Sequence, residues 1–490
     1  MSITLNAPLA WKTANPAEVK MLQSLQGNIL KGHGRDFTAN IFFRFGANQP
    51  RECRRVLREL ANAHITNAHR QLLDNEIHKQ AQASGQCDPV SQDPFVHVAL
   101  SFQGYVALGV PEAAPQDEDF RAGMRAAQSL AALNDPAVAQ WEAPFQEDIH
   151  GMLLAAHADE AALDLLCEAL SKLLSSMGVS IVHTQRGKAI KNEAGKGIEH
   201  FGYVDGRSQP LMLEEDIEQE NATGGGMRWD PRFPLSTALI KDPGVDDDFS
   251  FGSLFIFRKL EQRVRAFKTR EQEIASTLGL QGAARELAGA LLVGRFEDGT
   301  PVTLFNQDHG PEVPNDFNYA GDSGTRCPFH AHIRKSNPRG SGGAEPEAAE
   351  RLHLMARRGI PFEDKPRTVA PKDLPDAESF DEFREKVQPD LPVDGVGLLF
   401  MAYNRAIAEQ FKFTQQLWVN NSGFPLQAPG VHGIDPVIGQ GTLVPGEQRL
   451  PLSWDDPSAG SSDQVDFSGF VRMKGGEYFF SPSLAFFKDL

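Results

Sequence analysis

The order of apolar segments constrains this chain most. Residues 37–45, Phe-Thr-Ala-Asn-Ile-Phe-Phe-Arg-Phe, are aromatic and β-rich, and Pro50 then opens a stretch of helical period, Arg-Glu-Cys-Arg-Arg-Val-Leu-Arg-Glu-Leu-Ala. Strands are predicted over 95–102 and 148–157, a long helix over 159–177 and a fourth strand over 179–183. This β-α-β, β-α-β order is that of a ferredoxin-like unit, an antiparallel sheet with helices on one face. The second half repeats the plan, with strands over 253–257, 353–357, 396–403 and 478–480 and helices over 263–292 and 406–419. The expectation is an α+β fold of two ferredoxin-like modules, although no residue-level repeat links the halves.

A chain of 490 residues is long enough for two such units and for a buried cofactor. The division is placed at residue 215, giving an N-terminal module of 1–215 and a C-terminal module of 216–490. A net charge of -17 speaks against nucleic acid or anionic lipid as partners, because phosphate is bound through clustered Lys and Arg. No apolar run reaches the length of a membrane span, and the first twenty residues show neither a secretory nor a twin-arginine pattern. Cys53, Cys87, Cys167 and Cys327 form no C-x-x-C pair, which points to a reducing cytoplasm. The polar stretches 213–227, 242–248 and 340–350 read as surface loops.

Two segments concentrate chemistry. One is Phe201-Gly-Tyr-Val-Asp-Gly-Arg-Ser-Gln-Pro210, which offers a carboxylate at Asp205. The other is Arg326-Cys-Pro-Phe-His-Ala-His-Ile-Arg-Lys-Ser-Asn-Pro-Arg339, which offers His330 and His332. An Asp-Gly pair is by itself a turn signal, and a histidine beside Pro-Phe is by itself a packed residue. A zinc site would need further ligands that the neighbouring sequence does not supply.

Taken together, the segments resemble a known family. Cys-Pro-Phe-x-x-His-Ile-Arg-Lys-x-x-Pro-Arg is similar to the proximal-histidine segment of dye-decolorizing peroxidases, and Gly202-Tyr-Val-Asp-Gly206 to their distal G-x-x-D-G motif. Leu25-Gln-Gly-Asn-Ile-Leu-Lys-Gly32, Arg357-Arg-Gly-Ile-Pro361, Gly397-Leu-Leu-Phe-Met-Ala-Tyr403 and Gly475-Gly-Glu-Tyr-Phe-Phe-Ser-Pro482 extend the likeness over nearly the whole chain and place it with the longer, elaborated members.

The resemblance implies a fold of the dimeric α+β barrel-like superfamily and one haem b per chain. It implies His332 as axial ligand and metal-binding residue, with His330 the rival, and Asp205 with Arg357 as the acid–base and cation that split H2O2. Arg358 is the alternative to Arg357. Leu398 and Phe400 are expected to line the haem pocket, and Arg334 to pair with a haem propionate. Family members often carry an acid after the tyrosine of the Leu-Phe-x-x-Tyr strand; here Asn404 follows Tyr403, which leaves Glu409 as the substitute acceptor behind the ligand. The reductants implied are dyes, phenols and possible Mn2+, with Trp418 and Tyr403 as candidate radical-transfer residues. The alternative reading is a non-enzymatic haem-binding or haem-delivery protein on the same scaffold.

Overall fold

The computed structural model describes residues 3–84, 93–222, 226–310, 313–428, 430–463 and 465–490. Cys87 and the Thr223–Gly225 part of the loop read over 213–227 lie outside them.

Eight strands form the main path of one ten-stranded antiparallel sheet, to which Ile240–Lys241 and Ala356–Arg357 also pair: β1 (Phe37–Phe45), β2 (Phe95–Leu100), β3 (Gly151–His157), β4 (Val179–Lys188), β5 (Phe251–Gln262), β6 (Ile360–Glu363), β7 (Val396–Asn404) and β8 (Val471–Ser481). Their order is β6-β7-β5-β8-β2-β3-β1-β4. Read from the middle, each half has the fourth strand beside the first and the third between first and second, which is the ferredoxin-like arrangement twice over. The halves join where Phe480 of β8 pairs with Leu100 of β2.

The outer strands meet as well. A Cβ on Gly187 of β4 would fall 2.7 Å from Ile360 Cγ2 of β6, and Gln185 Nε2 donates to Asp364 Oδ1 at 3.0 Å. The sheet therefore curls toward a closed barrel. Apart from the half-buried β4, its strands are buried almost throughout, including Phe42, Phe43, Leu153, Phe255, Phe257 and Phe479, so the sheet is itself the core.

Helix α1 (Pro50–Ala63) starts at the predicted proline, and α2 (Glu160–Ser176) is capped by the Asp159 carboxylate, which accepts the Ala162 N–H. The helix expected over 263–292 is instead α3 (Val264–Thr277) and α4 (Glu286–Val293), because Gly279 takes a φ of 71° that ends the first piece. The strand expected over 353–357 contracts to Ala356–Arg357, which pairs with Tyr403 and Ala402. The edge position belongs to β6, whose Pro361 suits an edge. The helix expected over 406–419 is a single turn, Phe411–Phe413, running into a π-helix, Thr414–Val419. Within the acidic stretch read as a loop, Glu214–Ala222 is helical.

Candidate active site

A cavity of about 1830 Å3, counting its open mouth, lies between the barrel and the loops that follow β4 and α4. Asp205, Arg357, His332, Leu398 and Phe400 all line it. In β7, where every other residue is buried, Leu398 and Phe400 alone keep partial exposure, because alternate residues of the strand face the cavity.

Asp205 combines both readings of its Asp-Gly pair. Gly206 has a φ of 80°, and its N–H donates to Asp205 Oδ1 at 2.6 Å. The turn thus leaves Oδ2 for the cavity. Arg357 is held through its main chain, with N–H donating to Gln209 Oε1 at 3.0 Å, and through Nη2, which donates to Arg207 O at 3.0 Å. Its neighbour Arg358 points the other way and donates to Asn28 O and Ile29 O, both at 2.8 Å. Adjacent strand positions face opposite sides, so only Arg357 reaches the cavity.

His332 opens the short helix His332–Ser336 and presents a side chain that is 26% exposed. Its Nδ1 bonds Asp435 Oδ2 at 2.8 Å, and Asp435 is fully buried. That bond leaves Nε2 as the nitrogen available to a metal. Three expectations change here. Glu409 is not the acceptor behind His332: it is paired with Arg405 on the exposed surface, and Asp435, far along the chain, takes the place. His330 is buried outside the cavity, because the segment turns into a helix at His332 rather than running extended; burial holds its imidazole down to about 3.

Arg334 is the third. It is 2% exposed, lies outside the cavity lining, and donates to Asp322 Oδ2 at 3.1 Å, Asp322 O at 3.0 Å and Cys327 O at 2.5 Å, between the rings of Tyr319 and Phe329. It braces the segment that carries His332. Besides Arg357, the cavity is lined by Arg207, Arg258, Arg295 and Arg339. Arg295 Nη2 and Arg339 Nη2 both donate to Ser208 Oγ and to Asn315 Oδ1. Burial lowers Arg295 to about 9 and Arg339 to about 10, Arg295 further because Arg339 lies beside it. Neither was singled out from the sequence, although Arg339 closes the segment that carries His332.

Tyr403 is fully buried on the far face of β7, bonded to Asn28 Nδ2 at 3.4 Å. Trp418 is 2% exposed and meets His353, a cavity residue, edge-on at 5.4 Å.

The arrangement fits haem on observations of its own. A histidine with a buried carboxylate behind it lines a largely apolar cavity that an acid and a cation line as well. Among the described residues, Arg207 Nε and Tyr319 OH, both on cavity-lining residues, are buried without a hydrogen-bond partner. These are donors suited to the carboxylates of a porphyrin.

Comparisons with known proteins agree. Residues 24–190 match a family model described as the DyP dimeric alpha+beta barrel domain. A multifunctional dye peroxidase of an Amycolatopsis species is 44% identical over 497 residues, with all of both chains covered. The chain belongs to the dye-decolorizing peroxidase family. Its solved relatives include that Amycolatopsis enzyme (43% identity, TM-score 0.90, 100% of each chain) and a DyP-type peroxidase of Anabaena (36%, 0.85, 98% and 96%). A dye-decolorizing peroxidase solved in complex with 2,6-dimethoxyphenol is 28% identical, with a TM-score of 0.69 and coverage of 95% and 98%. Membership makes the chain a peroxidase, an enzyme acting on hydrogen peroxide, and implies haem as its cofactor.

Proposed function

We propose that residues 1–215 supply the distal acid and residues 216–490 the haem seat, with haem b held by His332 and its carboxylates met by Arg207, Arg295 and Arg339. Bound haem supplies the two-electron reduction of peroxide and the one-electron oxidation of donors. The chain's own work is to place a base, a cation and a dry wall around that reaction. Asp205 Oδ2 takes the proton from one peroxide oxygen and returns it to the departing one. Arg357, fixed by Gln209 and Arg207, directs its remaining N–H groups at the charge that develops as the O–O bond lengthens. Leu398 and Phe400 keep water from screening the pair.

The observation that carries this reading is the convergence of Asp205, Arg357 and the Asp435-backed His332 on one cavity. The reductants we propose are dyes and phenols, supported by the dimethoxyphenol complex of the relative. Mn2+ is a further proposed donor. Among the described residues Glu271, Glu286 and Glu297 bring carboxylate oxygens within 4.8 Å of one another, and Tyr203, which lines the cavity, donates its hydroxyl to Glu271 at 2.8 Å. Carboxylate oxygen suits Mn2+. Lys268 Nζ lies between Glu271 and Glu297 at 2.7 and 2.5 Å, so the metal must displace it. We assign the enzyme to the reducing cytoplasm, a reading supported by the buried free thiols of Cys53, Cys167 and Cys327.

The test is stopped-flow mixing of haem-loaded Asp205→Asn and Arg357→Leu with H2O2. Both should keep the Soret band of the parent, while the rate of its change on peroxide falls by about 10²–10⁴ for the first and about 10²–10³ for the second. Parental rates in both variants would refute the assignment.

A further inference from the structure

Glu199 is a carboxyl on the cavity wall that the chemistry above leaves unused. It heads the turn that carries Asp205 and lines the same cavity. Its carboxylate is committed to that turn: Oε2 accepts the Phe201 N–H at 2.8 Å, Oε1 accepts the Tyr203 N–H at 3.1 Å, and Gln262 Nε2 also donates to Oε2. The main chain closes the same loop, with Gly202 N–H on Glu199 O at 3.0 Å and Glu199 N–H on Tyr203 O at 3.1 Å. The next two residues are pinned in turn, Val204 N–H to Glu297 O and Asp205 N–H to Gly197 O, both at 3.1 Å. The path from the Glu199 carboxylate to Asp205 is hydrogen-bonded at each step.

We propose that Glu199 is a positioning residue for the distal acid: its carboxylate, by accepting the N–H groups of Phe201 and Tyr203, organises the turn that presents Asp205. The inference rests on Asp205 being the acid–base. An ionised Glu199 accepts the two N–H groups of the turn more strongly than a protonated one, so its charge state sets how firmly the turn that carries Asp205 is held. Burial pushes Glu199 up to about 7; its backbone and Gln262 donors oppose that rise and Asp205 adds to it. The other charges facing the turn are Arg367, within range through His200; Lys268, 5.4 Å above the Tyr203 ring; and Glu297, whose carboxyl would lie 3.0 Å from a Cβ on Gly202.

Gln262 supplies the independent sign of a proton site. It is 4% exposed, and its Oε1 has no hydrogen-bond partner among the described residues. Half a turn of the amide puts that oxygen, instead of Nε2, against Glu199. A protonated Glu199 then has an acceptor, and an ionised one has a donor.

The test uses the full-length, haem-loaded enzyme and reads the peroxide step alone, as the rate of Soret change on mixing with H2O2 from pH 5 to 9. The wild-type rate should rise by about two- to tenfold through the titration of Glu199. Glu199→Gln should lack that rise and be slower by about tenfold at pH 8, because one of the two N–H bonds to the turn is lost. A wild-type profile that is flat around pH 7, or a rise that survives in Glu199→Gln, overturns the proposal. Should Glu199→Gln fail to fold, infrared titration of the haem-free wild type and Gln262→Leu replaces it. A protonated-carboxyl band should disappear around pH 7 in the wild type and at higher pH in Gln262→Leu, which has lost a donor to the ionised form; the same midpoint in both overturns it. Full peroxide activity in Asp205→Asn would instead remove the reading of Asp205 on which this one rests.

Discussion

Asp435→Asn exchanges one oxygen of a fully buried side chain for an amide nitrogen, and its cost follows from the partners already in place. Asp435 Oδ1 accepts the N–H of Val437 at 2.7 Å and of Ile438 at 2.9 Å, while Oδ2 meets His332 Nδ1 at 2.8 Å. Asparagine offers one accepting oxygen and one donating nitrogen. With its oxygen kept on the turn, its NH2 faces His332 Nδ1, which forces the imidazole proton onto Nε2 and removes the lone pair a metal needs. With the oxygen swung to His332, the two part-buried N–H groups of Val437 and Ile438 lose their acceptor, at about 1 kcal/mol each. Partners behind a ligating histidine are worth about 10- to 100-fold in metal affinity. Haem affinity should therefore fall by about that factor. If the loss falls mainly on ferric iron, the Fe(III)/Fe(II) potential rises by on the order of 60–120 mV, at about 59 mV per tenfold for one electron. Soret titration of the haem-free chain and spectroelectrochemistry read the two quantities. Parental affinity and potential in Asp435→Asn would refute the claim that this carboxylate tunes the ligand.

Arg334→Ala should destabilise the protein by about 1.5–3 kcal/mol in urea unfolding, because the buried Asp322 carboxylate loses its guanidinium partner and keeps only the N–H groups of Gly324, Arg326 and Cys327. Arg339→Ala should weaken haem binding in the same Soret titration, because Arg339 lines the cavity and Arg334 does not. Burial holds His33, His97 and His200 down to about 3. The native chain thus binds one proton fewer per histidine than the unfolded chain below about pH 6.5, so their stabilisation is complete above that pH. It is lost as pH falls toward 3, at about 1.4 kcal/mol per pH unit for each. Glu199, raised to about 7, works in the opposite sense: its stabilisation is present at acid pH and is lost as pH rises from about 4.3 through 7. Chemical denaturation from pH 4 to 8 checks both, with His97→Gln expected to reduce the acid slope by about 1.4 kcal/mol per pH unit.

The strands were legible where burial is local and periodic. The run Phe37–Phe45 is bounded correctly because nine aromatic and β-branched-rich residues pair on both sides, with β3 and β4. The edge strand Ile360–Glu363 was hidden by Pro361 and by its shortness. The π-helix over Thr414–Val419 has the same apolar spacing as an α-helix, so sequence period could not distinguish them. At the site, Asp205, His332 and Arg357 were readable from their motifs. Their supporting partners were not: Asp435 meets His332 across 103 residues of chain, and a lone Asp in a Gly-Ile-Asp-Pro loop carries no local signal of that pairing. Arg334 stood in the right motif for the wrong reason, because a charge near a ligand can face the cofactor or brace the backbone, and only the fold decides between them.

The central claim is that His332 and the cavity above it form a peroxide-reactive haem site. The most direct measurement is the visible spectrum of the purified chain supplied with haem, before and after one equivalent of H2O2. The account predicts a Soret band that is absent in His332→Ala, is kept in His330→Ala, and changes at once on peroxide in the wild type. No Soret band in the wild type, or one that persists in His332→Ala and ignores peroxide, would contradict it.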